Sequence, residues 1–156
     1  MKTPIKSTKS GFTLIEIVIV LAIAAVIIGL VFLIVPNAQR SARDTKIQSN
    51  SNALSSSIEQ FIANNPSTTV TAGTLTNLPT GCTWVSPNMK CNGLPVTWAT
   101  GALSDLAATN NNTIYINTGA VCGTDGKVTA PSGTPASKYA VAWWSESAVK
   151  QKCIGN

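Results

Sequence analysis

The chain has 156 residues, of which 44% are hydrophobic and only 11% are charged. Its formal net charge is +5, but three lysines lie before Gly11, and residues 12–156 carry eight basic against six acidic side chains, so the charge is a poor indication of nucleic-acid binding. There is no histidine, which excludes the Ser-His-Asp and Cys-His templates, and no close acidic pair or phosphate-binding glycine loop, so we expect no catalytic residues and no cofactor.

The first predicted element is an apolar segment over residues 12–35, interrupted only by Thr13, Glu16 and Gly29. As a helix it would span about 36 Å, enough to cross the ~30 Å hydrocarbon core of a bilayer with some tilt. A cleaved secretory signal fits poorly, because its apolar region is shorter and a small-residue cleavage site follows it. The remaining alternative is an ordinary single-pass anchor. A carboxylate inside a membrane segment is expensive, so Glu16 is a candidate functional residue.

The residues at the start of this segment form a motif. A short leader with three lysines ends at Gly11, and Gly11-Phe12-Thr13-Leu14-Ile15-Glu16 then opens the apolar helix. This order resembles the type IV prepilin family, which includes the pseudopilins of type II secretion and DNA-uptake machines. The motif of that family is a glycine, then a phenylalanine, then a glutamate five residues past the glycine. Gly11, Phe12 and Glu16 match it at each position.

The resemblance implies that a membrane-embedded prepilin peptidase removes residues 1–11 by cutting between Gly11 and Phe12, and that the new Phe12 amine is methylated. It also implies that Phe12 and Glu16 act in assembly, the carboxylate of one subunit meeting the amine of its neighbour. The implied architecture is α+β, the type IV pilin fold. In that fold a long N-terminal helix packs on a small antiparallel β-sheet head, whose C-terminal region is closed by a disulfide.

The function implied is that of a structural subunit, not an enzyme. It would wait in the cytoplasmic membrane as a single-pass protein with a cytoplasmic N-terminus. It would then polymerise through its N-terminal helix into an extracellular pilus for adhesion, motility or DNA uptake. The implied partners are other pilin subunits, the prepilin peptidase, the inner-membrane assembly platform and membrane lipids. Two alternatives stay open: a minor pilin or pseudopilin of a type II secretion or competence machine, and a monomeric membrane-tethered binding domain.

Gly29 and Pro36 are predicted to loosen the long helix. In a helix interior, glycine costs about 1 kcal/mol and proline about 3 kcal/mol relative to alanine, and proline also removes a backbone donor. We therefore expect a continuous or mildly bent helix in the isolated subunit and a looser segment in a filament. The resemblance supports this, because the corresponding part of the helix is often unwound in assembled type IV pili.

Beyond Pro36 the helix is predicted to continue with one apolar side. Its stripe recurs at helical spacing and consists of Ile47, Leu54, Ile58, Phe61 and Ile62. Asn64-Asn65-Pro66 ends it, since a proline disfavours helix at the preceding residue. The sequence therefore predicts four parts: a cleaved leader over 1–11, a transmembrane or filament-core helix over 12–35, an amphipathic helix over 36–65, and a β-rich globular head over 66–156.

Three basic residues on this helix, Arg40, Arg43 and Lys46, repeat at every third position. One interpretation is a stripe that contacts phosphates or DNA. The other is a helix face at the outer membrane surface, near lipid head groups. The sequence favours the membrane surface over nucleic acid, because the charge of the chain without its leader is small.

The head is predicted to consist of short strands near residues 83–86, 96–99, 113–117, 119–122, 139–144 and 148–153, with a short helical turn over 103–108. Large and small residues alternate from Tyr139 to Trp143, so one face of that strand should be bulky and pack on the helix. Asp125-Gly126 is a turn signal. Its rival, a calcium loop with Asp105 and Asp125, has too few oxygen ligands, so we expect no metal.

Four cysteines, all beyond the apolar segment, complete the pattern: Cys82, Cys91, Cys122 and Cys153. An even number in a small Gly/Thr/Asn-rich domain indicates two disulfides in an oxidising compartment, and four free thiols are the alternative. Three pairings are open. We favour Cys82–Cys91, which closes a short loop, and Cys122–Cys153, because many type IV pilins close their C-terminal region with a disulfide.

Overall fold

The computed structural model describes residues 11–85, 88–99, 102–103, 106, 112–135 and 137–155. Secondary structure in these residues has the following bounds: α1 Leu14–Asn64, β1 Cys82–Val85, β2 Asn88–Cys91, β3 Leu94–Ala99, β4 Ile114–Thr118, β5 Val121–Cys122, β6 Val128–Thr129, β7 Tyr139–Ser145 and β8 Lys150–Gly155. The chain divides into two compact units, Met1–Ala38 and Gln39–Asn156.

In the first unit, the described residues from Leu14 onward are helical. Each residue from 11 to 38 is exposed, apart from a partly covered Ala24. Among the described residues this helix is the one long and apolar enough to cross a membrane, by length and composition. Pro36 lies inside it without ending it. The predicted continuous helix to Asn64 is confirmed, with a start two residues later than expected.

In the second unit, helix α1 packs its apolar stripe on the sheet. Ile47, Leu54 and Ile58 are at most 1% exposed, and Phe61 and Ile62 are partly buried, as the helical period predicts. They share one core with sheet residues that include Met89, Val96, Ile114, Ile116, Val141 and Trp143. Burial of an aliphatic side chain contributes about 1.5–3 kcal/mol, so this stripe is what fastens the helix to the sheet.

The main sheet has six strands in the order β1-β2-β3-β4-β7-β8, and β5 pairs with β6 in a separate two-stranded sheet. All neighbouring pairs are antiparallel except β3 and β4, which are parallel. The predicted antiparallel head is confirmed as a mixed sheet that is mainly antiparallel, with this one parallel pair among the described strands. Parallel neighbours require a crossover of a dozen or more residues, and the connection over residues 100–113 is long enough to supply it.

Two strands, β2 and β6, were missed, although the sequence carried a signal for the first. Asn92 and Gly93 connect β2 to β3 with φ angles of 50° and 84°. An Asn-Gly pair with two positive φ values is the preferred two-residue hairpin turn. The other strands lie near their predicted positions. The 119–122 strand is reduced to β5, because Gly119 turns with φ 69°. Leu103 forms an isolated bridge with Val128. Most of the predicted helical turn over 103–108 lies outside the described residues.

The two faces of the sheet cover different cores. On β7, Tyr139, Val141 and Trp143 face the helix, whereas Ala140 and Ala142 join a second cluster on the opposite face, so the predicted alternation is confirmed. Disulfides join β1 to β2 through Cys82–Cys91 and β5 to β8 through Cys122–Cys153, the pairing favoured above. The architecture is α+β: a long helix, a mixed, mainly antiparallel sheet and a disulfide-linked C-terminal region.

Candidate functional site

The start of helix α1 is a reciprocal cap made by Thr13 and Glu16. The Thr13 carbonyl accepts the first helical hydrogen bonds, from the N–H groups of Glu16 at 3.1 Å and Ile17 at 3.4 Å. The Thr13 hydroxyl oxygen accepts a hydrogen bond from the N–H of Glu16 at 3.4 Å. In return, the Thr13 N–H donates to the Glu16 carboxylate at 3.4 Å, and the Thr13 hydroxyl lies 3.3 Å from the same oxygen. This arrangement is the capping box of a helix N-terminus.

The cap fixes where Glu16 and the predicted cleavage point lie. Because its carboxylate turns back to Thr13, Glu16 faces the end of the helix at which Phe12 stands. Gly11, Phe12 and Thr13 precede the helix and are exposed. No described atom lies within 4 Å of the place where a side chain on Gly11 would begin, outside its chain neighbours. The Glu16 side chain therefore points toward the end of the helix at which Phe12 lies, and the chain at that end is exposed.

Most of the predicted leader lies outside the described residues, which begin at Gly11. Gly29 and Pro36, the two predicted flexible positions, both lie within helix α1. The space beside Gly29 is open: apart from the backbone of its own helix, no described atom lies within 4 Å of the point where a side chain would begin. In the isolated chain, Gly29 and Pro36 therefore leave the helix continuous, as expected for the unassembled subunit.

Comparison with known proteins bears on this N-terminal segment. Residues 6–32 match the family model described as the prokaryotic N-terminal methylation motif. The chain carries the type IV prepilin-type signal. No curated protein and no solved structure matches the chain.

This prepilin-type signal contains the cap, Phe12, Glu16 and most of the exposed apolar helix. It supports a type IV pilin-like or pseudopilin protein and indicates a structural, non-enzymatic role. Together with the N-terminal apolar helix, it is consistent with membrane anchoring before assembly. The signal covers residues 6–32 only and does not reach the head. The head is therefore described from its own contacts.

In the head, the sequence reasoning missed a buried carboxylate. Asp44 is 8% exposed and accepts hydrogen bonds from the Ser145 hydroxyl at 2.9 Å, the Glu146 N–H at 2.9 Å, and the N–H and hydroxyl of Ser147. Burial raises the pKa of Asp44, but these hydrogen bonds together lower it by more, so its pKa lies below the ordinary value. The signal was present, because Asp44 lies three residues before Ile47 on the buried stripe.

The predicted basic stripe is divided by this contact. Arg43 donates to the Glu146 carboxylate at 2.7 Å, and this hydrogen bond, assisted by the nearby negative charges, raises the pKa of Arg43. Arg40 and Lys46 remain exposed on the helix. One of the three cations is thus engaged within the head, which leaves a smaller continuous surface for phosphate contacts than the spacing suggested.

The predicted turn at Asp125-Gly126 is confirmed. An Asp125 carboxylate oxygen accepts a hydrogen bond from the N–H of Lys127 at 3.0 Å, and Gly126 has φ 80°. Asp105, the other proposed ligand, lies outside the described residues. Within the described part of the chain, no group of three or more Asp, Glu, Cys or His side chains is placed to hold a metal ion.

Two further polar contacts join helix α1 to the sheet. Asn50 accepts a hydrogen bond from the Asn92 amide at 2.7 Å, next to the β2–β3 turn. The Tyr139 hydroxyl lies 2.7 Å from the Ser55 hydroxyl and 2.8 Å from the Glu59 carboxylate. Burial, followed by Glu59, raises the pKa of Tyr139, which therefore stays neutral in the physiological range. These contacts fix the position of the helix along the sheet, because apolar packing alone tolerates sliding.

Proposed function

We propose that this chain is a structural subunit of a type IV pilus. It is made as a membrane-anchored precursor, cut between Gly11 and Phe12, methylated on the Phe12 amine, and polymerised through helix α1 into an extracellular filament. The observation that carries the proposal is the combination at the N-terminus: an apolar segment exposed on all sides, whose one ionisable side chain, Glu16, accepts a hydrogen bond from the N–H of Thr13, the residue after the predicted new amine.

The exposed apolar surface requires a cover. From Leu14 to residue 35 the helix presents large apolar side chains in every direction. The large apolar side chains between Leu14 and Leu21 are 49–82% exposed. Monomeric soluble proteins rarely expose apolar patches of more than a few hundred Å². Lipid supplies the cover before assembly, and the same helices of neighbouring subunits supply it in the filament.

Glu16 supplies what apolar packing lacks, a fixed axial register. Cleavage would create a positive amine on Phe12, four residues before the carboxylate. In an apolar surrounding each charge alone is costly, whereas the pair is less so. If Glu16 of one subunit meets the Phe12 amine of the next, apolar helices that could otherwise slide along one another have one preferred position.

Compartment and partners follow from the same proposal. The leader lysines favour a cytoplasmic N-terminus, but Arg40, Arg43 and Lys46 on the other flank nearly balance them. The orientation therefore rests on the two disulfides, which favour a head in an oxidising compartment. The precursor would then be a single-pass protein of the cytoplasmic membrane. Its partners would be copies of itself, the prepilin peptidase, the inner-membrane assembly platform and membrane lipids.

A minor pilin or pseudopilin is the second candidate, since the methylation motif over residues 6–32 is compatible with either role. The two differ in abundance. A major subunit should be the principal protein of filaments sheared from the cells, whereas a minor pilin or pseudopilin should be scarce in them. Mass spectrometry of sheared material measures this directly, and it also shows whether the N-terminus is a methylated Phe12.

The test of the assembly role is Glu16→Gln in a strain without wild-type subunits. Glutamine keeps a side-chain oxygen that can accept the Thr13 N–H, but it carries no charge for the amine. We expect processing and membrane insertion to continue and incorporation into filaments to fall at least about tenfold, because breaking a buried charge pair costs several kcal/mol. Gly11→Val is the matched control that should stop processing itself. A wild-type filament yield from Glu16→Gln would refute the proposed role.

A further inference from the structure

We propose that Thr13 is a positioning residue for processing, and this inference rests on the proposed cleavage between Gly11 and Phe12. The capping box holds the start of helix α1 at Leu14 and so keeps the scissile bond outside the helix. The hydroxyl of Thr13 acts on the helix start and not on the peptidase. This assigns a purpose to the one polar side chain besides Glu16 between residues 12 and 28.

The position of the cap matters because the chemistry needs an accessible peptide bond. In the cleavage, water adds its hydroxyl to the carbonyl carbon of Gly11, the bond from that carbon to the Phe12 nitrogen breaks, and the nitrogen takes the proton. Inside a helix, a carbonyl lies along the axis in the hydrogen-bond ladder and is flanked by the next turn. In the described chain, Gly11 and Phe12 stand before the ladder, and the space beside Gly11 is open.

The sequence offers a competing helix start. Ser10 is the next residue upstream of a type that caps helices. A helix capped there would have Gly11 and Phe12 as its first two residues and would place the scissile bond in its first turn. Residue 13, at the third helical position of that alternative, is threonine and not glutamate, so the reciprocal bond of a capping box is lacking. The Thr13–Glu16 pair therefore selects the start that leaves the bond accessible.

The contacts that carry this selection are the two reciprocal hydrogen bonds between the side chain of one residue and the backbone N–H of the other. The Thr13 hydroxyl satisfies one of the four N–H groups that a helix start leaves unpaired, and the Glu16 carboxylate satisfies the N–H of the cap residue itself. An N–H group without a partner costs more free energy at a membrane face than in water, because fewer water molecules are available to hydrogen-bond to it. Loss of the Thr13 hydroxyl should therefore shift the helix start more readily here than at the surface of a soluble protein.

The test measures leader removal from the full-length chain in membranes, with limiting prepilin peptidase, for wild type and three Thr13 variants. Thr13→Val keeps the shape and removes the hydroxyl. Thr13→Ser and Thr13→Asn both cap helices, but asparagine differs from threonine in shape and chemistry. We expect Thr13→Val to be cleaved more slowly by on the order of fivefold, the factor that loss of a typical N-cap corresponds to. Ser and Asn should remain within about twofold of wild type.

The outcomes separate the inference from the function on which it rests. Wild-type cleavage of Thr13→Val would overturn the inference and leave the processing proposal intact. Slow cleavage of both Thr13→Val and Thr13→Asn would also overturn it, since the peptidase would then be reading the threonine itself. If the wild-type leader is not removed at all while a known prepilin in the same membranes is processed, the proposed function fails.

Discussion

The carboxylate of Asp44 accepts a hydrogen bond from the backbone N–H of Ser147 at 2.8 Å, across 103 positions of the sequence. The same carboxylate takes donors from Ser145 and Glu146, so the turn between β7 and β8 wraps one side chain of helix α1. Arg43, the preceding helix residue, pairs with Glu146. A buried charge satisfied in this way fixes the helix on the sheet, and its removal leaves several donors without an acceptor.

We expect Asp44→Ala to lower the free energy of unfolding of the head by about 2–3 kcal/mol, because buried donors lose a charged acceptor. Lys46→Ala, an exposed change on the same helix, is the control and should alter stability by no more than about 0.5 kcal/mol. Denaturant unfolding of the full chain in detergent, followed by tryptophan fluorescence, measures both. Equal stability of the two variants would contradict the assignment.

The contribution of Asp44 should depend on pH. Its ordinary pKa is 3.8 and its pKa in the folded chain is lower, so its stabilisation is present above about pH 4 and is lost as the pH falls through the folded-state value. The difference in unfolding free energy between wild type and Asp44→Asn should therefore be constant from about pH 7 to pH 5 and shrink below about pH 4. A difference that grows on acidification would show that the carboxylate is not stabilised in the folded head.

The two disulfides should stabilise the head unequally. The chain-entropy model gives about 2.7 kcal/mol for Cys82–Cys91 and about 3.7 kcal/mol for Cys122–Cys153, as upper guides, because the second closes the longer loop. Replacing both cysteines of a pair by alanine should therefore lower the free energy of unfolding more for Cys122–Cys153 than for Cys82–Cys91. Peptide mapping without reduction tests the pairing, and a peptide that links Cys82 to Cys122 would contradict it.

Pro36 should weaken the helix locally, because it cannot donate a hydrogen bond to the carbonyl of Phe32. We expect Pro36→Ala to slow amide hydrogen exchange around residues 30–38 in micelles by at least about tenfold, given the cost of proline in a helix. Gly29→Ala is the matched control, because an alanine fits the open space beside residue 29. Its effect should be smaller, because glycine costs only about 1 kcal/mol in a helix against about 3 kcal/mol for proline. Unchanged exchange in Pro36→Ala would refute a local weakening. In a filament, unbroken helix from residue 12 to Asn64 would refute the predicted loosening.

Much of the architecture could be predicted from local patterns. The apolar run, the stripe from Ile47 to Ile62 and the alternation along β7 each depend on the period of one element, which residue spacing records directly. The cap at Thr13 and Glu16 and the turn at Asn92 and Gly93 are equally local, although the sequence prediction missed both. Their signals are a threonine followed three residues later by glutamate, and an Asn-Gly pair.

The sequence by itself determined the N-terminal signal, the long helix, its apolar and one-sided parts, and the strand-rich head, because each is encoded by neighbouring residues. Only the tertiary structure decided that β3 and β4 run parallel and that Asp44 is enclosed by the turn at residues 145–147. Both depend on which distant segments meet, and many pairings of short strands bury similar apolar area. The choice among them is made by summed packing and by satisfaction of buried polar groups across the whole head, which no local pattern contains.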